Sequence, residues 1–464
     1  MDTRFLGLDD LAGTLGLASH KTFQTYYESA LKDRETEGLD IEGFEWADPQ
    51  IDFDYEFLEG EGILSAMATY VDLYSDPTPR GRKTSLKKYT GSIPRQKWVE
   101  TYGEEDYRKE LIEANKAATL GALRGEIPEN SIKEYLWNRL FDRMKQFPDR
   151  HRNSVTYQVG QMKFKRELTL TAANNPGGLQ GVTYKSHIPE ANIKKESWYS
   201  VDASGNVTYV TTIDPIQVLM EKIYDLKTDK YRGYTNVVVE MDNVTYLRLM
   251  KHPKVLQRIG FAGERTLSLS NQKDQAAAQT AGWEKILTNG IDYAKTFIQT
   301  AIGADALIVH TNVVGQETFN STSKNYDIAP ISPYAEDVIL VRPSGIIGQI
   351  YNVAPVRPDK SAIFGDIFDG KGIIEYIYDK DNRTQKWKSE LTCLAVPIVP
   401  KKLVYYEIGG TASTDTYTAD TYTAVTNPTG NPKTQGWYEK NSSGEYVLTE
   451  DTTVDSSKTY YIKS

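Results

Sequence analysis

The sequence predicts an α+β protein, with helices gathered early and a meander of strands late. Two observations carry that prediction. Apolar residues recur at helical spacing between residues 104 and 147 and again between 214 and 301. After residue 306 the pattern becomes short alternating or continuously apolar runs, such as ALIVH at Ala306–His310. The chain has 464 residues, 39% of them hydrophobic and 11% aromatic. That is enough for a sizeable core and room for roughly three domains. It excludes a wholly disordered chain.

The spacing of Tyr107, Leu111, Ala114, Ala118 and Leu123 predicts a helix over Glu104–Arg124. Ile132, Leu136, Leu140 and Met144 predict a second over Ser131–Phe147, stopped by Pro148. Val155–Leu170 alternates and is expected to form strands. Asn175-Pro176-Gly177-Gly178-Leu179-Gln180-Gly181 is turn chemistry. Trp198–Thr212 reads as a hairpin around Ser204-Gly205-Asn206. Asp214 is placed to cap a helix with Pro215 at its first position and Ile216, Leu219, Ile223 and Leu226 on its buried stripe. Asn236–Met241 predicts a strand, Asn243 caps the next helix, and Pro253 kinks or restarts it. One long helix is expected over Thr280–Ala301 despite Gly290. Strands follow at Ala306–His310, Asp337–Val341, Gly348–Val353, Ile373–Tyr378 and Leu391–Val399. Thr411–Thr429 is low in complexity and reads as a linker. Gly436–Ser464 alternates again, and its Trp437-Tyr438…Ser443-Gly444 echoes Trp198-Tyr199…Ser204-Gly205.

Little in this inventory suggests catalysis. One cysteine, Cys393, excludes an intrachain disulfide framework and a cysteine-based zinc cluster. The histidines (His20, His151, His187, His252, His310) lie far apart without metal-ligand spacing. No cofactor or metal is expected. No carboxylate pair stands out as glycosidase acid and nucleophile. Asp379, Asp381 and Asn382 resemble a calcium loop but lack its glycine and terminal glutamate, and suit a turn. His310 closes an apolar strand as a satisfied structural histidine, and Cys393 reads as a small buried hydrophobe. The N-terminus shows no basic-then-apolar leader pattern, and no apolar run approaches a membrane span, so no membrane partner is expected. The ring pairs Trp437/Tyr438 and Tyr460/Tyr461 are a candidate surface-exposed binding face for a sugar or protein partner. They equally suit the hydrophobic face of a tiny β module.

The net charge of −9 hides a segregation. From Glu35 to Glu61 there are eleven acids and no Lys or Arg, interleaved with Phe44, Trp46, Phe53 and Phe57. From Pro77 to Val99 there are seven bases and no acid: Arg80, Arg82, Lys83, Lys87, Lys88, Arg95 and Lys97. Aromatics are costly to leave in water, so the acidic block reads as an extended arm lying on something. The prolines and glycines of the basic block argue for an exposed loop or hairpin. Arm and loop are expected to meet between identical subunits, with Glu42, Glu45, Trp46, Asp52, Asp54 and Glu56 facing the bases. Two independently solvated segments are the plainer reading.

The order of these parts resembles the major capsid proteins of tailed bacteriophages, the Hong Kong 97 type. Four features carry the resemblance. An N-terminal arm precedes a breaker-rich basic loop. The Ser131–Phe147 helix, as spine helix, precedes strands and the Asn175–Gly181 segment. Asp214–Phe261 runs helix, Tyr-Arg-x-x-Asn, strand, helix. Strands at Asp337–Pro343 and Leu391–Tyr405 close the fold. The resemblance spans about Leu58–Tyr406. It implies an arm (1–57), an extended loop (58–103), a peripheral domain (104–213) and an axial domain with closing peripheral strands (214–406). The 194–212 hairpin is an insertion, and 407–435 (linker) and 436–464 (small β module) are extra. No cross-linking Lys–Asn pair is assignable. The implied function is a non-enzymatic shell subunit forming hexamers and pentamers around packaged DNA, which it contacts non-specifically. Portal, scaffold and decoration proteins are the implied partners. The implied location is the virion, after assembly in the host bacterial cytoplasm. A carbohydrate-binding or adhesion structural protein using Trp437, Tyr438, Tyr460 and Tyr461 is the alternative, and deletion of 411–464 separates the two.

Overall fold

The structure is a computed structural model. It describes residues 32–60, 86–122, 146–176, 178–228, 234–262, 272–320, 325–357, 363–379 and 383–411, with short pieces around 132–139 and 422–463. The first elements are helix α1 (Lys32–Thr36) and strands β1 (Phe44–Trp46), β2 (Asp54–Gly60), β3 (Leu86–Ser92) and β4 (Arg95–Tyr102). Helices α2 (Glu104–Ala122) and α3 (Gln146–Gly160) lead into β5 (Glu167–Leu170), β6 (Val182–Lys185), β7 (Ile193–Val201) and β8 (Val207–Tyr209). Next come α4 (Pro215–Thr228), β9 (Val237–Asp242), α5 (Asn243–Met250), α6 (Pro253–Phe261), α7 (Gln272–Asn289) and α8 (Ile291–Ile302). Strands then dominate: β10 (Ala306–His310), β11 (Val314–Asn320), β12 (Asn325–Ile331), β13 (Val338–Pro343), β14 (Gly348–Asn352), β15 (Ile363–Ile367), β16 (Gly372–Asp379), β17 (Thr384–Pro397) and β18 (Val404–Thr411). Short strands β19 (Tyr422–Ala424), β20 (Tyr438–Lys440), β21 (Tyr446–Leu448) and β22 (Tyr461–Lys463) follow. This is the α+β order expected.

The chain divides into two compact units, Met1–Glu196 with Thr211–Ile408, and Ser197–Val210 with Gly409–Ser464. In the first, one sheet orders β1-β14-β17-β16-β15, with β4 also on β17, and another orders β10-β9-β13-β18. Strand β17 explains why its sequence runs apolar instead of alternating. Cys393 and Ala395 enter one core with Val155, Val159 and Trp387, while Leu394 and Val396 enter another with Met162 and Tyr351. A strand covered on both faces needs apolar residues at successive positions. In the second unit, β7 and β8 form the predicted hairpin, and β19-β22-β20-β21 form a small sheet. The two look-alike segments of the sequence therefore belong to one unit, and the Thr-rich stretch read as a linker contributes strand β19.

Four local readings need correction. Residues 155–160 are helical, not a strand, because Val155, Val159 and Met162 also satisfy helical spacing. Pro148 sits in the first turn of α3, where its missing N–H costs nothing, so it opens a helix instead of closing one. Of the expected 131–147 helix, residues 132, 135, 136, 138 and 139 are helical, residues 146 and 147 belong to α3, and the others lie outside the described residues. The long 280–301 helix is two helices, split where Gly290 takes φ +87°. The cap of α5 is Asp242, whose carboxylate accepts from the Val244 N–H, and Asn243 is the first helical residue. Asp214 caps α4 as expected, accepting from the Ile216 N–H at 3.1 Å.

Candidate assembly site: a clasped arm and a charged ribbon

The acidic arm splits into two parts with different physics. Its first part, residues 39–46, lies along the main unit. Strand β1 pairs parallel with β14, matching Phe44 to Gly348. The Phe44 ring occupies the space a side chain at 348 would fill: a Cβ built there meets the ring at 2.1 Å. Trp46 packs on Phe368 with ring centroids 5.6 Å apart, and Glu45 accepts from Gln349 at 3.3 Å.

Beneath the arm is a buried ionic cluster. Glu240 of β9 is fully buried. It accepts from the Arg342 guanidinium of β13, from the Lys163 ammonium and, at 2.9 Å, from His310 Nε2 of β10. The other imidazole nitrogen, Nδ1, lies 2.7 Å from Asp40 of the arm, whose carboxylate also accepts from the Tyr334 hydroxyl. Arg342 reaches on to Glu42 at 3.2 Å, and Lys163 donates to the Glu42 carbonyl at 2.7 Å. Lys163 gets there because α3 ends in one π-helical turn, Gln161–Lys165, closed by Arg166 at φ +63°. Burial opposes ionisation of these groups, yet the opposite charges around them win. Asp40 is held far below the ordinary carboxylate range, and Glu240 is lowered to about 2. His310 is raised above its ordinary value by hydrogen bonds to Asp40 and Glu240, against the cost of burial.

The second part is a ribbon. Strand β2 pairs antiparallel with β3, setting Glu56 opposite Thr90 and Glu59 opposite Lys87. Lys88 pairs with Glu56 at 2.5 Å, with both side chains more than half exposed. At the ribbon's base Tyr55 stacks on Tyr351, and Glu59 accepts from the Tyr89 hydroxyl at 3.2 Å. Around it Ile51 and Leu58 are 92% and 63% exposed, with Phe53 and the carboxylates of Asp52 and Asp54 also in solvent.

The predicted site residues thus separate. Glu42, Glu45 and Trp46 engage their own chain. Glu56 and Lys88 meet, but within one chain. Arg95 and Lys97 lie on β4 and pair with Glu390 at 2.5 and 3.6 Å. Lys87 is exposed, with its ammonium 5.0 Å from the Tyr89 ring. Arg80, Arg82, Lys83, Trp437 and Tyr460 lie outside the described residues; Tyr438 and Tyr461 fall on β20 and β22. Sequence reasoning missed Asp40, Lys163, Glu240 and Arg342. The one signal for them was a lone acid in the apolar strand NVVVEM. His310 and Cys393 are as read: the histidine is fully hydrogen-bonded, and the buried thiol is pushed up to about 12. Among the described residues no group of three His, Cys, Asp or Glu side chains could hold a metal ion. No described helix is long and apolar enough to cross a membrane.

No protein-family model matches the chain, and no curated protein matches it. Solved structures do. A phage-related protein from Bordetella bronchiseptica RB50 is 10% identical, covering 83% of this chain and 96% of its own at a TM-score of 0.37. The mature capsid of bacteriophage PhiM1 is 8% identical over 79% of this chain and 86% of that one, with a TM-score of 0.38. The satellite phage P4 procapsid, which includes the size determination protein, is 10% identical over 84% and 99%, with a TM-score of 0.35. The chain is similar to these phage proteins along most of its length.

Proposed function

We propose that this chain is the major shell subunit of a tailed double-stranded-DNA bacteriophage, a structural protein whose main partner is another copy of itself. The observation that carries the reading is the ribbon beside the clasped arm. A two-stranded ribbon with exposed acids, bases and large apolar side chains has half its chemistry unspent in one chain. A neighbouring copy is the natural partner for it, because each copy supplies both signs of charge. Pairing of that kind sets register and choice of partner more than raw affinity. Surface buried only in the assembly also ties stability to subunit concentration. Hexamers and pentamers enclosing DNA, association with portal, scaffold and decoration proteins, and a place in the virion after assembly in the bacterial cytoplasm complete the proposal.

The test is to neutralise Arg80, Arg82, Lys83, Lys87 and Lys88 together and follow assembly by sedimentation. Loss of assembly with an unchanged subunit fold is expected. Unchanged assembly overturns the role given to the ribbon.

A further inference from the structure

The clasp under the arm is built almost wholly from ionised groups, and one of them is a histidine held between two carboxylates. The groups facing His310 come from five directions. Asp40 and, beyond it, Glu42 come from the arm, and Glu240 from β9. Lys163 comes from the π-helical turn, Tyr334 from the loop before β13, and Arg342 from β13. Asp242, opposite His310 in the β9–β10 register, is already engaged by the Val244 N–H and the Ser332 hydroxyl. The His310 ring lies between Tyr334, stacked at 4.4 Å, and Phe164, edge-on at 5.5 Å, so it cannot turn away.

Both ring nitrogens face carboxylate oxygens, at 2.7 and 2.9 Å. Only the imidazolium donates from both. Either neutral tautomer sets a nitrogen lone pair against a carboxylate oxygen. Glu240 keeps Lys163 and Arg342 when that happens. Asp40 keeps the Tyr334 hydroxyl as its described side-chain partner, with its charge still partly withdrawn from solvent. The weak point is therefore the joint between arm and core. Removal of the arm has the converse effect: Lys163, His310 and Arg342 then share Glu240 alone, and His310 is driven to give up its proton.

We propose that docking of the 39–46 segment is coupled to a proton on His310, so that the arm is clasped below the pH at which His310 deprotonates and released above it. The released proton passes to solvent and no other bond changes. The sign follows from the charge. His310 is raised in the docked state by its two carboxylates, so its contribution is complete below the undocked-state value and is lost as pH rises through the docked-state value. Asp40 and Glu240 are both lowered and stay ionised throughout that window.

Hydrogen exchange on the full chain reads this directly. The Ala47 amide donates to Ile350 and the Ile347 amide to Gly43, so both bonds join arm to core and exist only while the arm is docked. After correction for intrinsic exchange, their protection should fall up to tenfold per pH unit between the undocked-state and docked-state His310 transitions, the slope of one released proton, and level off above them. The Leu340 amide in the core should not follow. His310→Gln should abolish the slope. Asp40→Asn, which leaves His310 its Glu240 partner, should move the transition to lower pH. A flat wild-type profile overturns the proposal, as does an equal slope in His310→Gln or an unmoved midpoint in Asp40→Asn.

Discussion

The arm at residues 40–46 and the ribbon at 54–60 belong to one acidic run, yet the structure treats them in opposite ways. In the arm, Asp40 is half-buried against His310 and Tyr334, and Phe44 fills the space over Gly348. In the ribbon, Glu56 and Lys88 pair in solvent, with Leu58 exposed beside them. The difference shows that charge density alone does not assign a role. Buried charges become fixed structural joints, because removing one partner strands the others. Exposed charges hold little of the fold together and stay available to a partner.

The comparison can be broken from either side. The largest effect is expected at the clasp. Glu240→Gln leaves Lys163, His310 and Arg342 buried with one fewer anion and should cost about 3–5 kcal/mol in denaturant unfolding. A loss below about 1 kcal/mol would mean that the cluster is no more than a surface pair. Gly348→Ala should come next, at about 1–3 kcal/mol, because the new methyl group meets the Phe44 ring. Its signature is loss of protection at Ala47, whose amide donates to Ile350, without change in the ribbon. The smallest effect on folding is expected from Lys88→Glu, at about 0–1 kcal/mol, although it places like charges side by side at Glu56. The same variant should impair assembly strongly, and Glu56→Lys in the same chain should restore it. Restoration would show that the pair acts as a unit. Impaired assembly that the double variant leaves unrepaired would show that Lys88 faces another partner.

The α+β order, the Asp214 cap, the 198–212 hairpin and most late strands were legible because each rests on local spacing. The Gln146–Gly160 helix was not, because Val155, Val159 and Met162 fit two periods and Pro148 reads equally as stop or start. The exposed ribbon was half legible. Its charges and breakers were plain, but the pairing of β2 with β3 inside one chain depends on register, which composition does not encode. The clasp was the least legible part. Its joints link residues 70 to 300 positions apart, from His310 with Glu240 to Arg342 with Glu42. Strand β9 presents Glu240 as an ordinary polar interruption until the strands on either side bury it. His310 was readable as satisfied, but nothing local named its partners.

The central claim is that the chain completes itself by binding copies of itself. Negative-stain electron microscopy of the purified full chain, alongside sedimentation over a range of concentrations, tests it most directly. Rings or closed shells that dissociate on dilution, and are lost when the bases of the 77–99 block are neutralised, are expected. Discrete monomers at every concentration and salt would contradict it.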